Sequence, residues 1–307
     1  MSKLFIIGNG FDLDHGLKTS YNHFHDFLKD ICPESTDEFC FPNLQINSDG
    51  SVDCDITNTI NFIRYIISNV EGDKWTNLES SLAYLDFSDF CYDLKCDFFD
   101  KDDEDDVNLW HKAYDNENIM SDITIPIFKI KPLFADWIST INLSSVKSKL
   151  DFKTLIDQNS KFLTFNYTLT LENVYNVKNV CHIHGKQGEN LLFGHDNLEE
   201  YDYSSLIGAE NICHEIFSNL KKDTRVALSN NIEFFNSLDS SIDSIYSFGF
   251  SFGNVDLLYI RKICEILPTE NITWFLNEYD KDSMNIYKEK IINCGFNGKF
   301  DSFIINS

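Results

Sequence analysis

An asparagine and a histidine stand at the ends of two apolar segments, where a parallel sheet would hold its reactive side chains. Asn166 follows Phe162–Phe165, and His184 closes Val180–His184. An asparagine amide can hold a water or a ribose hydroxyl through its donor and its acceptor, and a histidine can act as a general base. These residue types predict a site in which a positioned water or hydroxyl is activated. The alternative for Asn166 is an ordinary turn residue.

A glycine turn, Gly8–Asn9–Gly10, follows the first apolar segment, Lys3–Ile7. Two glycines let a ligand approach the backbone closely, and the amides that follow can point at phosphate oxygens. The carboxylate of Asp12 would repel a phosphate, so near a nucleotide it should meet ribose hydroxyls, amides or a metal ion. The alternative is a tight turn in which Asp12 caps a helix.

A second turn of small residues, Gly249–Asp256, lies between an apolar segment and a helical one. Small residues at such a junction expose the first amides of the helix, so Ser251 is a candidate contact for a phosphate or ribose oxygen. The alternative is plain capping of the helix by Asn254. Elsewhere the spacing Thr76-x-x-Glu79 predicts a capping box, in which Glu79 bonds backbone amides.

The histidines raise a metal site as a further hypothesis. His182 and His184 are two residues apart on a predicted strand and would face the same side, and Cys213 or His214 could add zinc ligands. No further ligand stands at the usual spacing, so we expect no metal, with His182 in a structural role. His195, after the next apolar segment, is a third candidate imidazole.

Strand and helix patterns alternate in the second half of the chain. Strands are expected at Lys3–Ile7, Phe162–Phe165, Val180–His184, Leu191–Phe193, Ile245–Phe250, Ile272–Leu276 and Phe300–Ile305, with helices from Ser20 and Thr168 and across 204–237, 255–267 and 281–293. This alternation predicts an α/β, Rossmann-like fold with a mainly parallel sheet and helices on both faces. Ligands of such sheets bind at the carboxyl ends of the strands.

The region between the first helix and residue 150 has a different pattern. Helical periodicity dominates its apolar segments, which are 56–70, 76–99 and 127–143. The acidic run Lys101–Asp106 and the polar stretch 111–122 are expected to be exposed loops. We therefore expect a discontinuous nucleotide-binding domain, 1–31 with 151–307, and a mostly helical insertion, 32–150.

The charge and the cysteines disfavour several classes of protein. With 49 acidic and 25 basic residues among 307, the formal charge is −24, which argues against nucleic acid or an anionic membrane as the main partner. The first apolar run is too short for a signal peptide or a membrane span. The 9 cysteines, with no C-x-x-C, fit a reducing cytoplasm better than a disulfide framework. A cytoplasmic globular protein with a small-molecule ligand is expected.

Together these motifs resemble the AbiH-type phage abortive-infection proteins. The resemblance is carried by Gly8–Asp12, Gly16-Leu17, Thr19, Tyr21, Phe24, Trp75, Leu78-Glu79, Phe165–Thr168, His182–Gly185, Phe193–His195 and Gly249–Ser251. Their spacing is also remotely similar to that of sirtuin-like domains. In those domains a glycine turn, a strand-end asparagine, a His-Gly pair and a G-x-S turn line an NAD site.

The resemblance implies a role for each of these residues. The turn Gly8–Gly10 would hold the pyrophosphate, Asn166 would place the attacking water, and His184 would be the base or a ribose contact. Ser251 would touch phosphate or ribose. The other contacts to the nucleotide would come from Asn9, Phe11, Asp12, Thr168, Gly185, His195, Gly249 and Asp256.

The resemblance thus implies a phage-defence effector that takes NAD as substrate or ligand, hydrolyses its nicotinamide N-glycosidic bond and answers an unidentified phage trigger. A non-catalytic nucleotide sensor or partner-binding module is the second hypothesis, because Thr168 stands where sirtuins have an aspartate and Asp12 where they have small residues. The third is a metal-dependent hydrolase or nuclease that uses Asp12, Asp14 and the histidines. The helical insertion is compatible with a homo-oligomer.

Overall fold

The computed structural model describes residues 2–33, 41–42, 44–50, 52–88, 91, 109–197 and 202–306. The chain forms two compact units. Unit 1 comprises residues 1–20, 138–192 and 223–307, and unit 2 comprises residues 21–137 and 193–222. The chain passes between the units near residues 20, 137, 192 and 222. The predicted domain boundaries at residues 31 and 150 stay a prediction.

A six-stranded sheet with parallel pairing throughout forms the centre of unit 1. In chain order the strands of the protein are β1 (Ser2–Ile7), β2 (Leu44–Ile46), β3 (Val52–Cys54), β4 (Lys161–Thr164), β5 (Val180–His182), β6 (Ile242–Phe248), β7 (Thr273–Asn277) and β8 (Lys299–Phe303). The order across the sheet is β5-β4-β1-β6-β7-β8. Two strands extend one way from β1 and three the other, which is the Rossmann order. The expected α/β fold with a parallel sheet is confirmed.

Helices alternate with these strands. In chain order they are α1 (Asn9–Asp14), α2 (Tyr21–Ile31), α3 (Ile56–Glu71), α4 (Leu78–Ser81), α5 (Leu109–Phe128), α6 (Ile130–Thr140), α7 (Leu150–Leu155), α8 (Thr170–Tyr175), α9 (Glu210–Leu220), α10 (Thr224–Asn230), α11 (Ile232–Asn236), α12 (Leu257–Ile266) and α13 (Met284–Asn293). Short 3₁₀ turns cover Asn254–Asp256, Thr269–Asn271 and Glu278–Asp280. The turn expected at Gly8–Gly10 therefore enters a helix at Asn9.

The central strand β1 is apolar on both faces because helices cover both sides of the sheet. Leu4 and Ile6 belong to a core cluster that includes Tyr259 of α12. Phe5 and Ile7 point the other way, into a second cluster formed with α1, α7 and α8. This alternation follows from the period of two in a strand and explains why β1 reads as a continuous apolar run.

Aromatic side chains form the core of unit 2. Phe24 of α2 lies 5.4 Å from the ring of Phe134, which stacks on Phe193 at 4.0 Å. Trp75, fully buried, stacks on His25 with ring centroids 4.4 Å apart. These contacts link segments far apart in the sequence, so the helical region has a core of its own. The hairpin β2–β3 also lies in this unit.

The prediction of an exposed loop at 111–122 is wrong, because these residues lie in the helix α5. Asn116, Met120, Ile123 and Ile127 are buried at helical spacing. Asn116 hides the pattern, since a polar residue occupies a core position and donates a hydrogen bond to Ile207 O at 2.9 Å. The acidic run Lys101–Asp106 lies outside the described residues.

A strand expected at Leu191–Phe193 is also wrong. The segment belongs to no strand, and Gly194 turns the chain directly after it with φ +145°. Leu192 N donates to His184 O at 2.8 Å, so the apolar residues close a loop instead of extending the sheet. The sheet described here ends at β5.

Among the helices that the structure describes, none combines the length and the apolar character that a bilayer crossing requires.

Candidate functional site

The glycines after β1 and β6 pack backbone against backbone. A Cβ on Gly8 would lie 2.5 Å from Gly249 O, and a Cβ on Gly249, whose φ is +62°, would lie 2.2 Å from Phe11 N. Gly8 N donates to Phe248 O at 3.0 Å, and Gly10 N donates to Gly249 O at 2.9 Å. The glycines thus join two loops where the strand order reverses. Their role in binding a pyrophosphate stays a prediction. Because the amides of Gly8 and Gly10 already donate within the protein, other groups would have to bind the phosphate oxygens.

Asn9 and Phe11, the other residues of the first turn, have different surroundings. Asn9 is exposed, and its side-chain amide donates to Thr19 O at 3.0 Å. Phe11 is fully buried against Phe152 and Phe248, so it is a core residue of unit 1.

A cavity of about 370 Å³ lies at the same edge of the sheet, beyond the carboxyl ends of β1, β6 and β7. It brings together Gly10, Gly249 and Ser251, which the sequence analysis singled out, with Asn277 and Asp280. Burial raises the pKa of the Asp280 carboxyl. The volume is in the range of small-ligand pockets, and the crevice where strand order reverses is the usual ligand position in such sheets.

Asp12 is buried in α1 and accepts hydrogen bonds from two threonine hydroxyls. Thr168 Oγ1 donates to its Oδ2 at 2.6 Å, and Thr170 Oγ1 donates to its Oδ1 at 2.8 Å. Asp12 lies within the helix and does not cap it, and Leu169, not Thr168, is the N-cap of α8. The hydroxyl partners expected for Asp12 are supplied by the protein itself.

Burial raises the pKa of Asp12 from 3.8 to about 6. Hydrogen bonds from Thr168, Thr170 and Asn166 and the nearby His182 act in the opposite direction but do not offset the desolvation. Desolvation is therefore the largest influence on this carboxyl. A buried carboxylate of this kind marks a candidate functional site.

Asn166, the second residue beyond β4, is 6% exposed and is held by its amide nitrogen. Nδ2 donates to Gly8 O at 3.1 Å. Oδ1 is buried and has no hydrogen-bond partner. A buried acceptor without a partner is rare in folded proteins, because it loses hydration without replacement. It marks a position where a water or ligand hydroxyl would be stabilised.

His182 on β5 braces the same region from the side. Its Nε2 lies 2.7 Å from Glu172 Oε1, and its Nδ1 lies 3.1 Å from Asn166 O. The imidazole thus ties α8 to the backbone of Asn166.

His184, just beyond β5, is 3% exposed and packs among aromatic rings. Its ring centroid is 5.3 Å from that of Phe165 and 5.9 Å from that of Tyr259, and its Nε2 lies 3.3 Å from Asp256 Oδ1. A carboxylate beside an imidazole fixes the orientation of the ring. The structure therefore places two predicted residues, His184 and Asp256, side by side.

Gly185 turns the chain after His184 with φ +81°. A Cβ there would lie 2.2 Å from Asn190 O, so the space expected for a ligand is occupied by the backbone of the following loop. The glycine is needed to close that loop.

His195 lies in unit 2, whereas Asn166 and His184 lie in unit 1. It is fully buried, its Nε2 donates to Phe217 O at 2.9 Å, and burial lowers its pKa to about 4. It packs as a neutral core residue.

The capping box expected at Glu79 is wrong. Glu79 pairs with the buried Lys222, whose Nζ lies 3.1 Å from Oε1. The amides of Thr76 and Asn77 are taken instead by Glu71, at 2.9 and 3.1 Å. A buried ammonium group without a paired charge is costly, whereas the amides of an exposed helix end can bond water. Glu79 therefore pairs with Lys222 and does not cap the helix.

Two polar residues at this edge were not singled out from the sequence. Thr170 donates a hydrogen bond to Asp12, and Glu172 pairs with His182. A signal was present: Thr164, Asn166, Thr168 and Thr170 are polar at every second position. Asn277 ends β7 and Asp280 follows it, as the predicted residues follow β1 and β6.

The amino ends of the strands carry a larger, more open groove of about 890 Å³. Its lining includes Ser2, Lys161 and Asn179, near the starts of β1, β4 and β5, and extends to Cys181, whose thiol pKa is raised by burial to about 12. Its position is opposite to the usual ligand edge of a parallel sheet.

Within the part of the chain that the structure describes, no group of three or more His, Cys, Asp or Glu side chains is placed to hold a metal ion. Cys213, a ligand in the zinc hypothesis, is buried in unit 2, and burial raises its thiol pKa to about 12.

A family model described as "Bacteriophage abortive infection AbiH" matches residues 4–278. The chain belongs to the AbiH family. The match includes both glycine turns, Asn166 and His184 and ends just after β7, so Asp280 of the cavity lies outside it. No curated protein and no solved structure matches this AbiH chain.

Proposed function

We propose that this AbiH-family protein binds NAD or a related nucleotide at the carboxyl edge of its sheet and hydrolyses the nicotinamide N-glycosidic bond in phage defence. The observation that carries the proposal is the buried Oδ1 of Asn166, an acceptor without a partner beside the place where strand order reverses. The cavity lined by Gly10, Gly249 and Ser251 supports it as a place for the rest of the nucleotide.

The residues present fit this chemistry. Nicotinamide leaves as a neutral molecule, with the electron pair of the bond to the ribose C1′, so no general acid is needed. A water forms the new bond to C1′ and its proton passes to a base or to solvent. Asn166 Oδ1 can accept a hydrogen bond from that water, and His184, oriented by Asp256, can accept the proton.

Burial adds a condition on activity. Asn166 and His184 are 6% and 3% exposed, so a nucleotide reaches them only when the surrounding loops open. This fits an effector that stays inactive until infection supplies a trigger. Expression without a trigger would then be tolerated by the cell.

Nicotinamide release from NAD by the purified protein, with and without lysate of phage-infected cells, tests the proposal. Asn166→Ala should lower the rate by about 100-fold or more, because the water loses its acceptor. Asn230→Ala is the matched control, an exposed asparagine that lines the groove at the amino edge. Equal release by Asn166→Ala and wild type would contradict the enzymatic proposal.

A second candidate is a nucleotide sensor without turnover. It is favoured by Thr168, whose hydroxyl is committed to Asp12 at 2.6 Å and so differs from the sirtuin pattern. Calorimetric titration with NAD separates the two candidates. Tight binding with no nicotinamide release indicates a sensor, and absence of binding rejects both candidates.

A further inference from the structure

The charge of the cavity at the carboxyl edge limits which part of a nucleotide it can hold. Among the described residues that line it, none is a lysine, an arginine or a histidine. Its charged side chains are Asp14 and Asp280, and Asp14 is neutralised by Lys149, whose Nζ lies 2.6 Å from Oδ2. A phosphate in the cavity would therefore meet a carboxylate and no cation, so the cavity favours an unphosphorylated part of the ligand.

Asp280 presents its carboxylate to this space. The residue is half-buried, and within the described part of the chain no group donates a hydrogen bond to its side chain and no cation pairs with it. The pKa of Tyr287, which also lines the cavity, is raised by burial and then by the charge of Asp280, so that charge acts on the cavity. Two neighbouring hydroxyls, such as those of a ribose, can donate to one carboxylate, whereas a phosphate is repelled by it.

Asn277, at the end of β7, supplies a donor beside this acceptor. It is 5% exposed and lines the cavity, and its Oδ1 accepts from Tyr279 N at 2.9 Å. A backbone N–H can only donate, so the atom that faces it must be the oxygen of the amide. Nδ2 is left, and no residue that the structure describes accepts from it. A buried amide that presents a free donor to a cavity is a contact for a ligand oxygen.

The cavity and the reacting residues follow strands on opposite sides of the point where strand order reverses. Asn166 and His184 follow β4 and β5, whereas the cavity lies beyond β1, β6 and β7. A dinucleotide with its reacting ribose at Asn166 would therefore cross the end of β1 and place its other nucleoside in the cavity.

We infer that Asp280 is a specificity-determining residue: it accepts hydrogen bonds from the free 2′- and 3′-hydroxyls of the second ribose, beside the donor of Asn277, and rejects a nucleotide phosphorylated there. The inference rests on the proposed function for the rest of the ligand. It names the substrate class as NAD and other nucleotides with an unmodified ribose diol, and it excludes NADP.

Calorimetric titration with NAD and NADP, which differ by the 2′-phosphate alone, tests the inference. The wild type should bind NAD about tenfold or more tightly than NADP, the difference typical of hydrogen bonds to a charged group. In Asp280→Asn the two affinities should come within about threefold, because NAD loses the charged acceptor and NADP loses the repulsion. Asp282→Asn, an exposed carboxylate outside the cavity lining, should keep the wild-type ratio. Equal wild-type affinities, or an unchanged ratio in Asp280→Asn, would overturn the inference.

A second pair of probes separates this inference from the proposed function. Adenosine 5′-monophosphate and adenosine 2′-monophosphate are isomers, and the wild type should bind the 5′ isomer about tenfold more tightly. Asn277→Asp, which keeps an acceptor for Tyr279 N but removes the donor, should weaken binding of the 5′ isomer. If the wild type binds NAD and NADP equally, the inference fails and the proposed function stands. If it binds neither, the proposed function fails and the isomers decide: a preference for the 5′ isomer supports the role of Asp280, and no preference or no binding overturns it.

Discussion

The two edges of the central sheet differ in the size of their openings and in the polar groups that they present to a ligand. The amino edge has the larger opening, a groove of about 890 Å³, whereas the cavity at the carboxyl edge measures about 370 Å³. None of the described side chains that line the groove has a buried polar atom without a partner, whereas the carboxyl edge has Asn166 Oδ1. Size and chemistry therefore point to opposite edges. The chemistry is the better guide, because an unfilled buried acceptor costs free energy in the absence of a ligand and an open polar groove does not.

The largest effect should come from the junction of the two loops at the carboxyl edge. Gly249→Ala combines a left-handed backbone with a Cβ 2.2 Å from Phe11 N. Together these should lower the free energy of unfolding by about 2–5 kcal/mol, measured by urea denaturation. Gly253→Ala is the control, since φ there is −56° and a Cβ meets no atom within 4 Å. A similar loss in both variants would show that the junction is not tightly packed.

Asp12 should give the next effect, on the pH dependence of stability. Its pKa rises from 3.8 to about 6 on folding, so the folded state binds the proton more tightly. The stability that this group contributes is full at low pH and is lost as pH rises through that window. Relative to Asp12→Asn, the wild type should therefore lose about 2–3 kcal/mol of unfolding free energy between pH 4 and pH 7.

Asp151 provides a control of opposite sign. Hydrogen bonds from Asn306 lower its pKa, so its contribution is present at neutral pH and is lost as pH falls. Relative to Asp151→Asn, the wild type should gain stability from pH 4 to pH 7. The same sign for both aspartates would contradict the burial assigned to Asp12.

The smallest effect is expected at the amino edge. Lys186 lines the groove and is the kind of side chain that a phosphate would contact there. Lys186→Ala should change NAD affinity, measured by calorimetry, by less than about twofold. A tenfold loss would move the nucleotide to the amino edge and reverse the comparison.

The sequence predicted the parts of the fold that depend on short local signals. β1, α2 and α3 are where apolar periodicity places them, and the parallel sheet agrees with the alternation of strands and helices. α5 was missed because Asn116 occupies a core position through a hydrogen bond to Ile207, which no local pattern shows.

The candidate site was predicted residue by residue but not contact by contact. Strand ends could be read from the sequence, so Asp12 and Asn166 were singled out. Their partners depend on the fold: Asp12 accepts from Thr168 and Thr170, and Asn166 donates to Gly8 O, contacts that join residues 156 to 158 positions apart in the chain. The role of Gly249 was read as ligand access, whereas the structure uses it for backbone packing.

Hydrogen–deuterium exchange with and without excess NAD tests most directly which edge binds the nucleotide. Slower exchange is expected in peptides that cover 249–256 and 277–283, where the cavity residues of the carboxyl edge lie, and no change is expected in 158–161 and 179–182 at the amino edge. Protection confined to the amino-edge peptides, or none in either set, would contradict it.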